Sequence, residues 1–107
     1  MHASSRTLSP AAHRFAELLE KYEAAMDDWL AQGVFVEPAL DAAFTRLRRW
    51  QRDRYPVFGG LVDDIGLQAN DMLLAERRDG KRSVPFAGAR ARHVLALSRL
   101  RSVIEQT

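Results

Sequence analysis

The sequence predicts an all-α fold, a four-helix bundle whose helices run up, down, up and down. Apolar residues recur at steps of three and four in four separate segments, and no segment shows the alternation typical of a strand. Pro and Gly fall at the few places between these segments. Since 107 residues suffice for one core, we expect a single helical domain at 10–107 after a disordered tail at 1–9.

The first helix is predicted over 10–32. Ser9 can cap free backbone N–H groups, and Pro10 is well tolerated at the first helical position. Gly33 ends the segment. Its apolar face consists of Phe15, Leu18, Leu19, Tyr22, Met26, Trp29 and Leu30.

The second helix is predicted over 38–55, and the proline of YPVFGG at 55–60 ends it. Its apolar face consists of Leu40, Ala43, Phe44, Leu47 and Trp50. Trp50 lies at one edge of this face, and we expect it to anchor the helix in the core.

The third and fourth helices are predicted over 61–78 and 85–106, separated by the turn pair Asp79-Gly80. Their apolar faces consist of Leu61, Val62, Ile65, Ala69, Met72 and Leu73, and of Phe86, Val94, Leu97, Leu100 and Ile104. Gly66 leaves an alternative open. It could be the turn of a helix-turn-helix, and the fold would then be a three-helix core with that motif.

Charge alternates along the chain and favours the predicted pairing of helices. Three basic and five acidic residues in 1–36 leave −2, and five basic and three acidic residues in 37–58 leave +2. Two basic and five acidic residues in 59–79 leave −3, and six basic and one acidic residue in 80–107 leave +5. In an up-down-up-down bundle every helix therefore has two neighbours of opposite sign.

The stretch RLRRWQRDR is the most basic in the chain, and it has two interpretations. On a helix its arginines fan around the solvent side, which is typical of a solvated face. The alternative is a nucleic-acid contact, supported by further arginines in the fourth helix. The candidate residues are Arg46, Arg48, Arg49, Arg52, Arg92 and Arg99.

Surplus apolar residues point to a protein partner. If 61–78 is one helix, Leu67 and Leu74 lie almost opposite its core face. Leu95 and Val103 also stray from the main face of the last helix, among arginines. These four residues are candidates for a protein interface, and scattered surface residues are the alternative.

No stretch carries a complete catalytic, metal or cofactor motif. The chain has no cysteine, which excludes thiolate chemistry and disulfides. His93 is a lone histidine near an apolar face. We expect it to be a structural residue, buried or at the boundary of the core, and not a metal ligand or a general base. We therefore expect no enzyme, no cofactor and no metal. The polar N-terminus and the absence of a long apolar run predict a cytoplasmic protein without a membrane span.

Two short pieces, RRWQRDR and Asp64-Ile65-Gly66-Leu67, together resemble short arginine-rich bacterial proteins of unknown function, over about thirty residues. This resemblance implies RNA or a regulatory partner. The intervening YPVFGG departs from the pattern, so no family is assigned. Taken together, the sequence predicts a small non-enzymatic module for protein interaction or regulation that can self-associate, with nucleic-acid binding as the alternative.

Overall fold

The computed structural model describes residues 8–32 and 37–107, and within these ranges it contains four α-helices and no strand. The helices are α1 (Pro10–Gln32), α2 (Glu37–Arg54), α3 (Gly59–Asp79) and α4 (Val84–Glu105), with a short 3-10 helix at Pro56–Phe58. The all-α four-helix prediction is confirmed, and each predicted helix end lies within two residues of the observed one. Most of the predicted tail, residues 1–7, lies outside the described residues.

The helix ends are set by local side-chain and backbone chemistry. The Ser9 hydroxyl accepts a hydrogen bond from the Ala12 N–H at 3.1 Å, and the Ser83 hydroxyl accepts one from the Phe86 N–H at 3.2 Å. Both serines satisfy N–H groups that the first helical turn leaves free. Gly80 follows α3 with a φ of 87°, a conformation that a side chain disfavours, and so the chain turns towards α4.

The bundle consists of two helical hairpins. Within them α1 packs on α2 and α3 packs on α4, and the hairpins meet where α1 faces α4 and α2 faces α3. Opposite ends of neighbouring helices meet, as the contact between the Trp29 and Phe86 rings shows, with centroids 5.8 Å apart. The largest fully buried side chains include Trp29, Tyr22, Phe15, Leu19, Leu47, Ile65, Met72 and Leu100.

Ion pairs connect every helix of the bundle to a neighbour of opposite net charge. Arg48 of α2 pairs with Asp63 of α3, and Arg101 of α4 pairs with Glu23 of α1. A second pair joins α2 to α3, Arg77–Glu37 at 2.7 Å, and one pair joins α3 to α4, Arg99–Asp64 at 3.9 Å. Such surface pairs contribute about 0–1 kcal/mol each. Their positions nonetheless agree with the neighbours that the charge alternation predicts.

Gly66 lies inside α3, which is continuous, so the helix-turn-helix alternative is wrong. The reason for a glycine is close packing with α2. A Cβ added to Gly66 would come within 2.9 Å of Cζ of Phe44. The glycine therefore admits an aromatic ring to the α3 surface, and it does not mark a turn.

The predicted apolar face of α4 is wrong at one position. Val94 is 55% exposed, whereas His93, one residue earlier, is 1% exposed. Successive helical residues point about 100° apart, and α4 is turned so that His93 faces inwards and Val94 faces solvent. Burial of His93 is possible because its ring finds a polar partner, which is described below.

Candidate functional site

The outward side of α3 and α4 carries three exposed leucines, here called the apolar face: Leu67, Leu74 and Leu95. Their exposed fractions are 58%, 42% and 50%. These leucines are not part of the core, because the core side of α3 is formed by other residues, such as Val62 and Ile65, which have no exposure. The prediction that Leu67 and Leu74 form a separate ridge on a continuous helix is thus confirmed as geometry.

Side-chain contacts fix how the two helices of the apolar face lie against each other. Nε of Arg92 donates a hydrogen bond to Oε1 of Gln68 at 3.1 Å. A second contact joins Arg99 to Asp64. Leu67 on α3 and Leu95 on α4 both lie between these two contacts along their helices. Leu67 and Leu95 therefore lie at about the same height on the face.

Val103, predicted together with these leucines, lies elsewhere. It is partly buried and packs against the hydrophobic core. The helical wheel separates it from the main core arc of α4, but the neighbouring helices cover it. Val103 is therefore not part of the apolar face.

A second outward surface, here called the arginine face, consists of Arg46, Arg49 and Arg52 on α2. All three are exposed, and none forms an ion pair with a described residue. Arg48 differs from them because it pairs with Asp63, and its guanidinium lies 5.7 Å from the centroid of the Phe44 ring. Arg48 thus contributes to the packing of α2 on α3, and the other three project into solvent.

The structure does not bring the candidate arginines of α2 and α4 together. Arg92 and Arg99 turn towards α3, where they contact Gln68 and Asp64. Because α2 and α4 are diagonal in the bundle, each packs mainly on α1 and α3 and not on the other. The six arginines therefore form two separate groups instead of one basic surface.

Trp50 lies at the margin of the core. It is partly buried and packs against the core cluster, and its indole Nε1 donates a hydrogen bond to the Ala11 carbonyl at 3.1 Å. The Arg54 guanidinium covers the ring at 4.4 Å from its centroid. The ring therefore connects the end of α2 to the first turn of α1, and the Arg54 guanidinium occupies one of its faces.

One polar pair is buried between the hairpins. Oη of Tyr22 and Nε2 of His93 are 2.8 Å apart, and both residues are 1% exposed. Burial lowers the pKa of His93 to about 4. Burial, with a smaller contribution from the Asp41 charge, raises the pKa of Tyr22 above its usual range. Both side chains are therefore neutral at pH 7, and the hydrogen bond joins α1 to α4.

Two features are absent from the described residues. Among residues 8–32 and 37–107, no group of three or more His, Cys, Asp or Glu side chains could hold a metal ion. In the same ranges no helix combines the length and the apolarity needed to cross a membrane. Comparison of the chain with protein-family models, with curated proteins and with solved structures finds no match.

The sequence did not predict the Tyr22–His93 pair. Each residue was assigned its environment, Tyr22 on an apolar face and His93 near one, but the two are 71 positions apart. Periodicity shows which way a side chain points, and it carries no information about which residue of another helix lies opposite. The one available signal was that a buried histidine requires a polar partner.

Proposed function

We propose that this protein is a small helical module for protein interaction, without catalytic activity of its own, and that its partner on the apolar face is a second copy of the chain. The observation that supports this proposal is the exposure of Leu67, Leu74 and Leu95 on one surface formed by two helices. Several exposed leucines on one side of two adjacent helices are more typical of an interface than a single exposed leucine, which is common on any protein.

Charge favours a second copy in one particular orientation. The segment that contains α3 carries −3 and the segment that contains α4 carries +5, by the residue counts given above. A two-fold axis parallel to the helices would place α3 of each copy opposite α4 of the other. Arg99 would then face Asp64 of the second copy, and Leu67 would face Leu95 of the second copy. A two-fold axis perpendicular to the helices would instead place α3 opposite α3 and α4 opposite α4, so that helices of like charge would face each other.

The available surface suits a weak dimer. A helix of the length of α3 spans roughly 30 Å, and two adjacent helices are roughly 20 Å wide, which allows about 600 Å² per chain. The total of about 1,200 Å² is at the lower end of specific interfaces. We therefore expect reversible association at micromolar concentrations.

Sedimentation equilibrium of the wild-type chain and of a double variant, Leu67→Ser with Leu95→Ser, tests the proposal. The wild type should associate with increasing concentration, and the double variant should remain monomeric at the same concentrations. Val57→Ser is the matched control, because Val57 is 82% exposed but lies outside the apolar face. A wild type that is monomeric throughout, or a double variant that associates equally well, would contradict it.

A second candidate function is electrostatic nucleic-acid binding by α2. Arg46, Arg49 and Arg52 favour it because they are exposed and form no ion pair with a described residue. Titration with generic RNA and DNA at two salt concentrations tests it. Binding through several arginines should weaken steeply as salt rises, whereas an apolar association should hardly change. Absence of binding at low salt would eliminate this candidate.

A further inference from the structure

A groove of about 490 Å³ runs between α1 and α4, on a different side of α4 from the apolar face. This volume is typical of small-molecule sites. Its apolar lining consists of Met26, Leu30, Met72, Val94 and Leu97. Its polar lining consists of Glu23, Asp27, Arg90, His93, Ser98 and Arg101. The groove thus joins a thioether and aliphatic surface to a few polar groups.

One buried polar atom at this groove has no partner. His93 is 1% exposed, and its Nε2 shares a hydrogen bond with Tyr22. Its other ring nitrogen, Nδ1, forms no hydrogen bond with a described residue. Buried polar groups are nearly always satisfied, and an exception calls for a physical reason. When the Tyr22 hydroxyl donates to Nε2, the ring proton is on Nδ1, and a ligand group that accepts a hydrogen bond from Nδ1–H would supply that reason.

The charged side chains on the α1 and α4 walls of the groove differ in whether they are already paired. Arg101 pairs with Glu23 across the groove, which leaves both committed to each other. Arg90 forms no ion pair with a described residue, and neither does Asp27 on the opposite wall. Arg90 precedes His93 by three residues, so the two side chains share one side of α4. An anionic group would therefore lie along the α4 wall, away from Asp27.

We propose that this groove binds a small aliphatic carboxylate. The carboxylate accepts hydrogen bonds from the Arg90 guanidinium and from the imidazole of His93. The hydrocarbon chain lies over Leu30, Val94 and Leu97. This inference does not depend on the apolar face or on self-association.

Titration with octanoate, octanol and octylamine at neutral pH tests the proposal, with the amide shifts of Val94 and Ser98 as the readout. Octanoate should bind saturably with a dissociation constant of about 1 mM or lower. Octanol should bind more weakly because it lacks the charge. Octanol binding as tight as octanoate, or tighter binding of octylamine, would overturn the assignment of a carboxylate.

Surface variants locate the binding without threatening the fold. Arg90→Gln should weaken octanoate binding roughly tenfold, the usual effect of losing a charge-assisted hydrogen bond. Arg82→Gln is its matched control, since Arg82 is an exposed arginine outside the groove, and it should change nothing. Val94→Phe should fill the groove and abolish binding. Unaltered binding in Arg90→Gln and in Val94→Phe, or no saturable shift in the wild type, would refute the proposal.

Discussion

The apolar face and the arginine face are both exposed, yet they expose different chemistry. Leu67, Leu74 and Leu95 present hydrocarbon to water, and Arg46, Arg49 and Arg52 present guanidinium groups that water solvates well. Exposed apolar area costs about 25 cal/mol per Å², so covering the first surface is favourable. Covering the second requires an anionic partner to replace its hydration. The two faces therefore differ in what a partner gains by binding there.

The comparison shows that a conspicuous sequence pattern and an energetically significant surface need not coincide. RLRRWQRDR is the most basic stretch, but its arginines serve different purposes in the structure. Arg48 pairs with α3, Arg54 covers Trp50, and the rest are solvated. The leucines of the apolar face are less noticeable in the sequence, yet covering them is the more favourable of the two.

The largest loss of stability is expected from a substitution at Trp50, which lies on the core side of α2. Trp50→Ala should lower the free energy of unfolding by about 2–4 kcal/mol, since it removes a partly buried ring and the hydrogen bond to the Ala11 carbonyl. Urea denaturation measures it. If Trp50→Ala left stability unchanged, the ring would not support α2, and RLRRWQRDR would have to be treated as an exposed binding surface.

Both faces exist only while the bundle is folded. The buried His93 makes the folded state less stable at acidic pH. The pKa of His93 is about 4 in the folded chain and about 6.5 in the unfolded chain. Between these values the unfolded state binds the proton and the folded state does not. The free energy of unfolding should therefore fall by about 3 kcal/mol as the pH decreases from 6.5 to 4.

Denaturation at several pH values, with His93→Gln for comparison, isolates this contribution. Every other titratable group is common to both proteins, so the difference between the two curves reports His93. Parallel curves would mean that the imidazole is not held neutral by burial.

The smallest effects should be the same on both faces. Arg49→Ala and Leu67→Ser should each change the stability of the monomer by less than about 0.5 kcal/mol, because neither side chain is buried. Thermal unfolding of dilute protein measures this. A large loss in Leu67→Ser would indicate that Leu67 belongs to the core, and the contrast between the faces would disappear.

Much of the fold follows from the sequence because its signals are local. Ser9-Pro10, Asp79-Gly80 and the break at YPVFGG mark helix ends, and each lies where the structure has one. The outward position of Leu67 follows from helical geometry as soon as α3 is continuous. Continuity itself did not follow from the sequence. The reason for Gly66 is the Phe44 ring of another helix.

The candidate sites are less predictable because they depend on contacts between helices. The hydrophobicity of Val94 predicts an inward position, but Val94 is exposed. Its neighbour His93 faces inwards instead, where it forms a hydrogen bond with Tyr22. Val103 was placed outside by the wheel, and neighbouring helices cover it. The groove between α1 and α4 has no signature in the sequence, since two helices form it together.

Cysteine cross-linking tests most directly whether the apolar face binds a second copy. The chain has no cysteine, so an introduced thiol is the only one. Mixing the single variants Leu67→Cys and Leu95→Cys under mild oxidation should yield mainly the mixed 67–95 disulfide, which mass spectrometry distinguishes from the two symmetric products. Val57→Cys should remain largely uncross-linked. Equal amounts of all products, or no more cross-linking than in Val57→Cys, would contradict the proposed dimer.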